Sequence, residues 1–360
     1  MHSRLFASSL ITLGCLLALT TVMLPGEAQW IRVEQARDEH VTTLGPDADG
    51  HLYAGTQSGR LWRLQGESDW QDVGGTLGAV AITVLAPDPG GLLVGTSDGL
   101  YRWQQGWQQL LGTGRISDVR SLAGEPDGRL IVATGSRVLI LEDGHWGDTN
   151  IADAIGNSPV YRAMGQSTGE DHTLHAGTVG RGVWTRLAGE TDWRHNSAGL
   201  PDTVNVFSLA EAGNGLLLAG TDQGLFWQAA PLQPWRRLDA GLGSRRVLDL
   251  ARRERTDGTV LLAASDDGVY SVRLVERQQS LETQGRWQHI PAPPPGLDGP
   301  VSWIVPDTET VWISASSLYS LTRSRSGLWY AGLAAGGTMA FAGFYMIVTG
   351  RRRGHGHTSI

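Results

Sequence analysis

The sequence contains no lysine, and all 29 of its basic residues are arginine, an imbalance that a GC-rich coding bias accounts for. Cysteine is nearly as scarce. The single Cys15 lies in an apolar N-terminal run, so the body has no disulfide, no thiol nucleophile and no thiolate metal site. A large core does without disulfides, so their absence leaves an extracytoplasmic location open. Basic charge is also in deficit, with 29 basic against 36 acidic residues and a formal net charge of −7. Arg4, Arg351, Arg352 and Arg353 sit at the two ends, which leaves the middle of the chain more acidic still. Such a body is repelled by phosphate backbones, which excludes nucleic acid as a partner class. No glycine-rich phosphate loop follows a strand and opens a helix, and there is no nucleophile elbow.

What the chain does have is glycine, tryptophan and proline, at 49, 14 and 15 residues. So many helix breakers favour short strands joined by tight turns over a helical bundle. The two ends differ from this body. Behind Arg4, the uncharged stretch Leu5 to Leu24 reads as a signal peptide or a signal anchor over residues 1–28. Gly26 and Ala28 supply the small residues a signal peptidase needs, and cleavage and retention both stay open.

At the other end, Leu328 to Gly350 is uncharged. At about 1.5 Å per residue it crosses roughly 30 Å of hydrocarbon, so a transmembrane helix is expected over 326–350. Trp329 and Tyr330 suit one interface, and Arg351 to Arg353 open a basic tail over 351–360. The positive-inside rule puts that tail in the cytoplasm, although Arg323 and Arg325 on the near side weaken the asymmetry. The body over 29–325 is then expected outside a bacterial inner membrane, on the periplasmic or extracellular side. Gly332, Gly336 and Ala340 recur every four residues, a stripe that permits close approach of another helix.

Internal repetition sets the fold. One unit reads Val84-Leu85-Ala86-Pro87-Asp88, Gly91-Leu92-Leu93-Val94-Gly95-Thr96, Gly99-Leu100-Tyr101-Arg102-Trp103 and Trp107-Gln108-Gln109-Leu110. Another runs from Val206-Phe207-Ser208-Leu209 through Gly220-Thr221 and Gly224-Leu225-Phe226-Trp227 to Trp235-Arg236-Arg237-Leu238. Four short apolar runs separated by turn residues make a four-stranded antiparallel blade. The second-run signal stands at Gly55-Thr56, Gly95-Thr96, Gly177-Thr178 and Gly220-Thr221, with looser copies at Ala133-Thr134, Ala264-Ser265 and Ser314-Ala315. Seven copies at a period of about 40 to 50 residues predict an all-β, seven-bladed propeller.

The last unit lacks a fourth strand, and Trp30-Ile31-Arg32-Val33 has the shape of one. The N-terminal strand is therefore expected to complete the seventh blade and close the ring, leaving no open strand edge. Trp62, Trp103, Trp184 and Trp227 in third strands, with Trp70, Trp107, Trp146, Trp193 and Trp235 at fourth strands, read as wedge packing between splayed blades.

Over Leu92 to Tyr101 the chain resembles two-component-regulator-type propeller repeats. It is also similar to the sialidase-related repeats of photosystem assembly factors and sortilin-type receptors. That resemblance implies a binding or assembly platform by analogy of fold. The strict aspartate box spaces Asp and Gly by one residue, whereas Asp98-Gly99 and Asp267-Gly268 are adjacent here, which argues against glycosidase activity.

Candidate chemistry is thin. His172 and His175 on one strand point to opposite faces and do not share an ion. His355 and His357 read as a solvated tail, and Asp266-Asp267 and Glu170-Asp171 read as turn residues. No cofactor or metal is expected. In a propeller, the turns between second and third strands share a face with the loops joining blades. Binding residues are expected there: Asp98, Arg181, Asp222, Asp266 and Asp267 on the turns, with Asp118, Tyr161, Asn205, Arg246 and Trp303 near the channel mouth. The expected function is a membrane-anchored, non-catalytic scaffold that binds a membrane or extracytoplasmic protein. The alternative is a sialidase-like or other carbohydrate-active propeller enzyme, the sialidase-like form drawing on Tyr161 and Arg115, Arg162, Arg181 and Arg246.

Overall fold

A computed structural model describes residues 28–78, 80–111, 116–124, 128–168, 171–213, 215–256, 258–277, 280–291, 300–306 and 310–323. The N-terminal apolar segment, the expected membrane helix with Gly332, Gly336 and Ala340, the basic tail, Arg115 and Glu170 lie outside these residues. Among the described residues no helix is long and apolar enough to cross a membrane.

The strands form seven four-stranded sheets, and in six of them the strands follow sequence order. The first strands of blades one to six are Val41–Pro46, Ile82–Asp88, Ser121–Gly124, Val160–Thr168, Val206–Gly213 and Asp249–Arg255. The second strands are largely apolar and buried, over their whole length in Leu52–Thr56, Leu130–Ala133, Leu216–Thr221 and Val311–Ala315. A blade is covered on both faces by its neighbours, so its inner strands read as continuous apolar runs instead of alternating ones.

The recurring Gly-Thr pair has two separate causes. The threonine hydroxyl is buried and closes the turn that follows it. Thr96 Oγ1 donates to the Gly99 carbonyl at 2.8 Å, Thr178 to Gly182 at 2.8 Å and Thr221 to Gly224 at 2.7 Å. The glycine lets the next blade approach. A Cβ on Gly95 would stand 2.6 Å from Val119 Cγ1, and one on Gly220 would stand 2.8 Å from Val247 Cγ1. The same wedge, a fully buried Val or Ile, recurs in every blade as Val41, Ile82, Val119, Val160, Val206, Val247 and Val301. The N–H groups of Val41, Val119, Val160, Val247 and Val301 bond back to the preceding blade, as in Val119 to the Thr96 carbonyl (3.0 Å) and Val247 to the Thr221 carbonyl (2.8 Å).

Tryptophans seal the outer wedge, as their spacing predicts. Trp107 Nε1–H donates to the Gly74 carbonyl, Trp193 to Thr149 and Trp235 to Asn196. Each bond runs from one blade to the blade before it. Trp70 and Trp312 meet edge to face at 5.3 Å between blades one and seven.

The seventh sheet takes Trp303–Pro306, Val311–Ala315 and Ser317–Arg323 from the end of the repeat region and Ala28–Arg32 from its start. By contacts the chain divides into two units, Ile31–Ser320 and a second unit formed by the segments on either side. Within Ile31–Ser320, Val33 N–H donates to the Leu318 carbonyl at 3.0 Å. The ring shuts between blades seven and one, where Val41 N–H meets the Ser316 carbonyl at 3.1 Å and Ser314 Oγ meets the Val41 carbonyl at 2.6 Å. The repeat pattern does not announce one element, a single-turn helix over Ile151–Ile155 linking blades three and four. Ile151 and Ile155, one turn apart, are both buried in the core of those blades.

Candidate functional site

The axis-facing positions follow from a backbone irregularity. Pairing of first to second strand shifts between Val41 and Thr43, Ile82 and Val84, Val160 and Arg162, and Val206 and Ser208. The extra residue at each bulge, directly after the buried wedge, reaches toward a neighbouring blade. In blades one and two it is a threonine. Thr42 donates to the Gly55 and Ile82 carbonyls, and Thr83 to the Val119 carbonyl.

In blades three to five the residue after the wedge is Arg120, Tyr161 and Phe207, and these side chains meet. The Arg120 guanidinium stands 5.5 Å over the Tyr161 ring. Tyr161 and Phe207 have ring centroids 5.3 Å apart. Arg246, from the loop entering blade six, covers Phe207 at 5.4 Å. The run is cation, ring, ring, cation. A carboxylate serves each end, Asp118 with Arg120 at 2.6 Å and Asp266 with Arg246 at 3.5 Å.

Arg162 and Asp249 belong to blades four and six, yet Arg162 Nη2 lies 3.1 Å from Asp249 Oδ1. The guanidinium also stands 5.1 Å over the Trp303 ring of blade seven. The other Asp249 oxygen accepts the Ile304 N–H at 3.1 Å. Burial raises the Asp249 carboxyl above its ordinary 3.8, and Arg162 and the N–H groups of Ile304 and Leu250 pull against that shift. Trp303 packs on buried clusters from blades two and three and from blades one and seven. These three side chains span the axis.

The expected binding residues therefore divide. Asp118, Tyr161, Arg246 and Asp266 come together at the mouth. Trp303 sits in the axial packing, half-buried, instead of on an exposed rim. Asn205 and Asp222 bond to each other, Nδ2 to Oδ2 at 2.6 Å and N–H to Oδ1 at 3.0 Å.

Asp98 and Asp267 serve their own turns. Each accepts the hydroxyl of the tyrosine three residues on, Tyr101 at 3.3 Å and Tyr270 at 2.7 Å. Burial together with the Asp267 carboxylate pushes the Tyr270 phenol up to about 12. Arg181 is exposed on the turn after Thr178.

Arg120 and Phe207 complete the mouth and were not among the expected residues. Aligning the seven units on the wedge residue would place both in one column with Tyr161.

His175 is fully buried, its Nδ1 2.9 Å from Thr185 Oγ1, and burial lowers it to about 4. Among the described residues, the grouping with metal-ligand proximity is Asp47, Asp49 and His51. It lies in the first hairpin of blade one, at the strand ends opposite the mouth. Asp47 there accepts the N–H groups of Asp49 and His51, an ordinary Asx turn.

The fold defines the class: a seven-bladed β-propeller, with Arg162, Asp249 and Trp303 of blades four, six and seven in contact near its axis. No family model matches the sequence, and no curated protein matches it significantly. Among solved structures it is similar to the extracellular domain of BT4673 from B. thetaiotaomicron, described as a hybrid two-component system. The identity is 18% and the TM-score 0.65, over 83% of this chain and 40% of that one. This chain thus spans about two fifths of that relative's length.

YCF48 from Cyanidioschyzon merolae is similar at 13% identity and TM-score 0.56, over 82% of this chain and 98% of that one. A catalytically inactive virginiamycin B lyase from Staphylococcus aureus, solved with quinupristin, is similar at 11% identity and TM-score 0.61, over 82% and 99%. The likeness to propellers of two-component-type systems holds at the level of fold.

Proposed function

We propose that this chain is a membrane-tethered, non-catalytic propeller lying outside the cytoplasm, and that its channel mouth binds a protein partner in assembling or stabilising a membrane complex. The observation that carries this reading is the Arg120–Tyr161–Phe207–Arg246 run, with Arg162, Asp249 and Trp303 in contact near the axis. Tyrosine and arginine dominate binding hot spots, since they combine large apolar contact with fixed polar groups. Tethering rests on the uncharged run Leu328 to Gly350 and its flanking arginines. The likeness to an extracellular domain supports the location outside the cytoplasm.

The test is crosslinking in native membranes followed by identification of what is captured. Tyr161→Ala and Arg246→Glu should each lower recovery of the principal partner by about tenfold, a hot-spot loss of about 1.4 kcal/mol. Melting temperature should stay near that of the parent. Undiminished recovery from both variants would remove the mouth from the interface.

The enzyme reading draws on Tyr161 with arginines around it. Of the arginines it draws on, Arg162 and Arg246 have carboxylate partners of their own, Arg181 is exposed on the turn after Thr178, and Arg115 lies outside the described residues. Turnover of a sialoside by the purified chain would revive that reading.

A further inference from the structure

Away from the axis, the turn Gly180–Gly182 of blade four and the connecting loop Leu200–Thr203 line an open cleft of about 410 Å³. Trp184 and His195 are cross-strand partners, and their rings, 5.0 Å apart and tilted by 51°, form one wall. The Trp184 ring is fixed by its Nε1–H, which donates to the Arg181 carbonyl at 3.2 Å. Leu200 and Pro201 supply apolar surface from the loop.

Two backbone positions shape the lining. Gly182 has φ +63°, and a Cβ there would stand 2.3 Å from Ser197 Oγ. Thr203, on the loop side, has φ +54°, an outlier for a β-branched residue.

Two charged side chains line this space, Arg181 on the turn and Asp202 on the loop. Both residues are exposed. Among the described residues neither side chain has an ion-pair or hydrogen-bond partner. That sets them apart from Arg120, Arg162 and Arg246, whose charges are met within the fold. A volume at the lower end of the range for small-molecule sites suits a compact ligand. An aromatic wall in a space also lined by two charges of opposite sign complements a molecule with an apolar body and one charge of each sign.

We infer that this cleft binds a small zwitterion with an apolar side chain, a free apolar amino acid or dipeptide. Its carboxylate meets Arg181, its ammonium group meets Asp202, and its side chain lies on Trp184. The site shares no residue with the channel mouth, so either reading stands or falls alone.

The test is calorimetric titration of the full-length, detergent-solubilised chain. The probes are L-phenylalanine and L-leucyl-L-phenylalanine, with their N-acetyl and C-terminal amide forms. The zwitterions should bind, and blocking either end should weaken binding by about tenfold, the loss of one charge-assisted contact. Arg181→Ala should abolish discrimination against the amides alone, and Asp202→Asn discrimination against the acetyl forms alone. Both residues are exposed, and unchanged melting will verify that the variants fold. Absence of binding by every zwitterion at millimolar concentration would overturn the inference. So would equal affinity for free and blocked forms, or variants that discriminate as the parent does.

Discussion

Replacing Asp249 with alanine tests how the axis is held. The carboxylate is 7% exposed and its partner Arg162 19%, so the change strands a guanidinium with little water to replace its counter-charge. It also removes the acceptor of the Ile304 N–H. Breaking a buried pair from one side costs about 3–5 kcal/mol, and an orphaned buried N–H about 1–3 kcal/mol. These losses share one site and do not add in full. Arg162 also keeps the Trp303 face, which favours the lower end, and we expect about 3–4 kcal/mol.

In a domain this large, each kcal/mol moves the midpoint by about 2–4 °C, so the apparent Tm should fall by about 6–16 °C at fixed scan rate. The control is the double variant Arg162→Met with Asp249→Ala. It removes both charges and should recover more than half of the loss. A single variant melting within about 2 °C of the parent, or a double variant no better than the single one, would refute the idea that the ion pair braces the ring from within.

Two further outcomes are expected. His175 is held neutral to about 4 in the fold against 6.5 in the open chain, so the unfolded state takes up the proton first on acidification. Stability should therefore fall by about 3 kcal/mol as pH drops from 6.5 to 4, at about 1.4 kcal/mol per unit. His175→Gln should remove that part of the slope in denaturant titrations, and an unchanged slope would show that the imidazole is not the group responsible. Gly95→Ala should cost about 1–3 kcal/mol by overpacking against Val84 and Val119, whereas Gly124→Ala, with nothing within 4 Å, should be near neutral. Equal midpoints for the two variants would contradict the close-approach account of the repeat.

Much of the fold was legible because its causes are local. Gly95 and Thr96 advertise a blade in any one unit, since the turn and the close approach are made within a few residues of the pair or by the next wedge. The closing strand was legible from a count, as the seventh unit lacked the strand that Trp30 to Val33 supplies.

The mouth was half legible. Asp118, Tyr161, Arg246 and Asp266 could be placed by their position near strand ends, but Arg120 and Phe207 matter through a column that appears only when the units are stacked. The pairing of Arg162 with Asp249 is of another kind. Ring geometry brings together residues 87 positions apart, and no local pattern encodes it. Asp98 and Asp267 show the converse, because a turn acid bound to its own tyrosine has the same local sequence as one free to bind a partner.

Borrowing a strand from the start of the chain affects synthesis as well as shape. Val33 emerges early, and its partner Leu318 is made only after six blades have left the ribosome. Until then Trp70 lacks Trp312, and the strand Ala28–Arg32 has an unpaired edge. A nascent chain is therefore exposed to mispairing for most of its elongation, and the closing step carries the largest loop entropy in the molecule. A chaperone that shelters that first edge would act on yield without touching the finished ring.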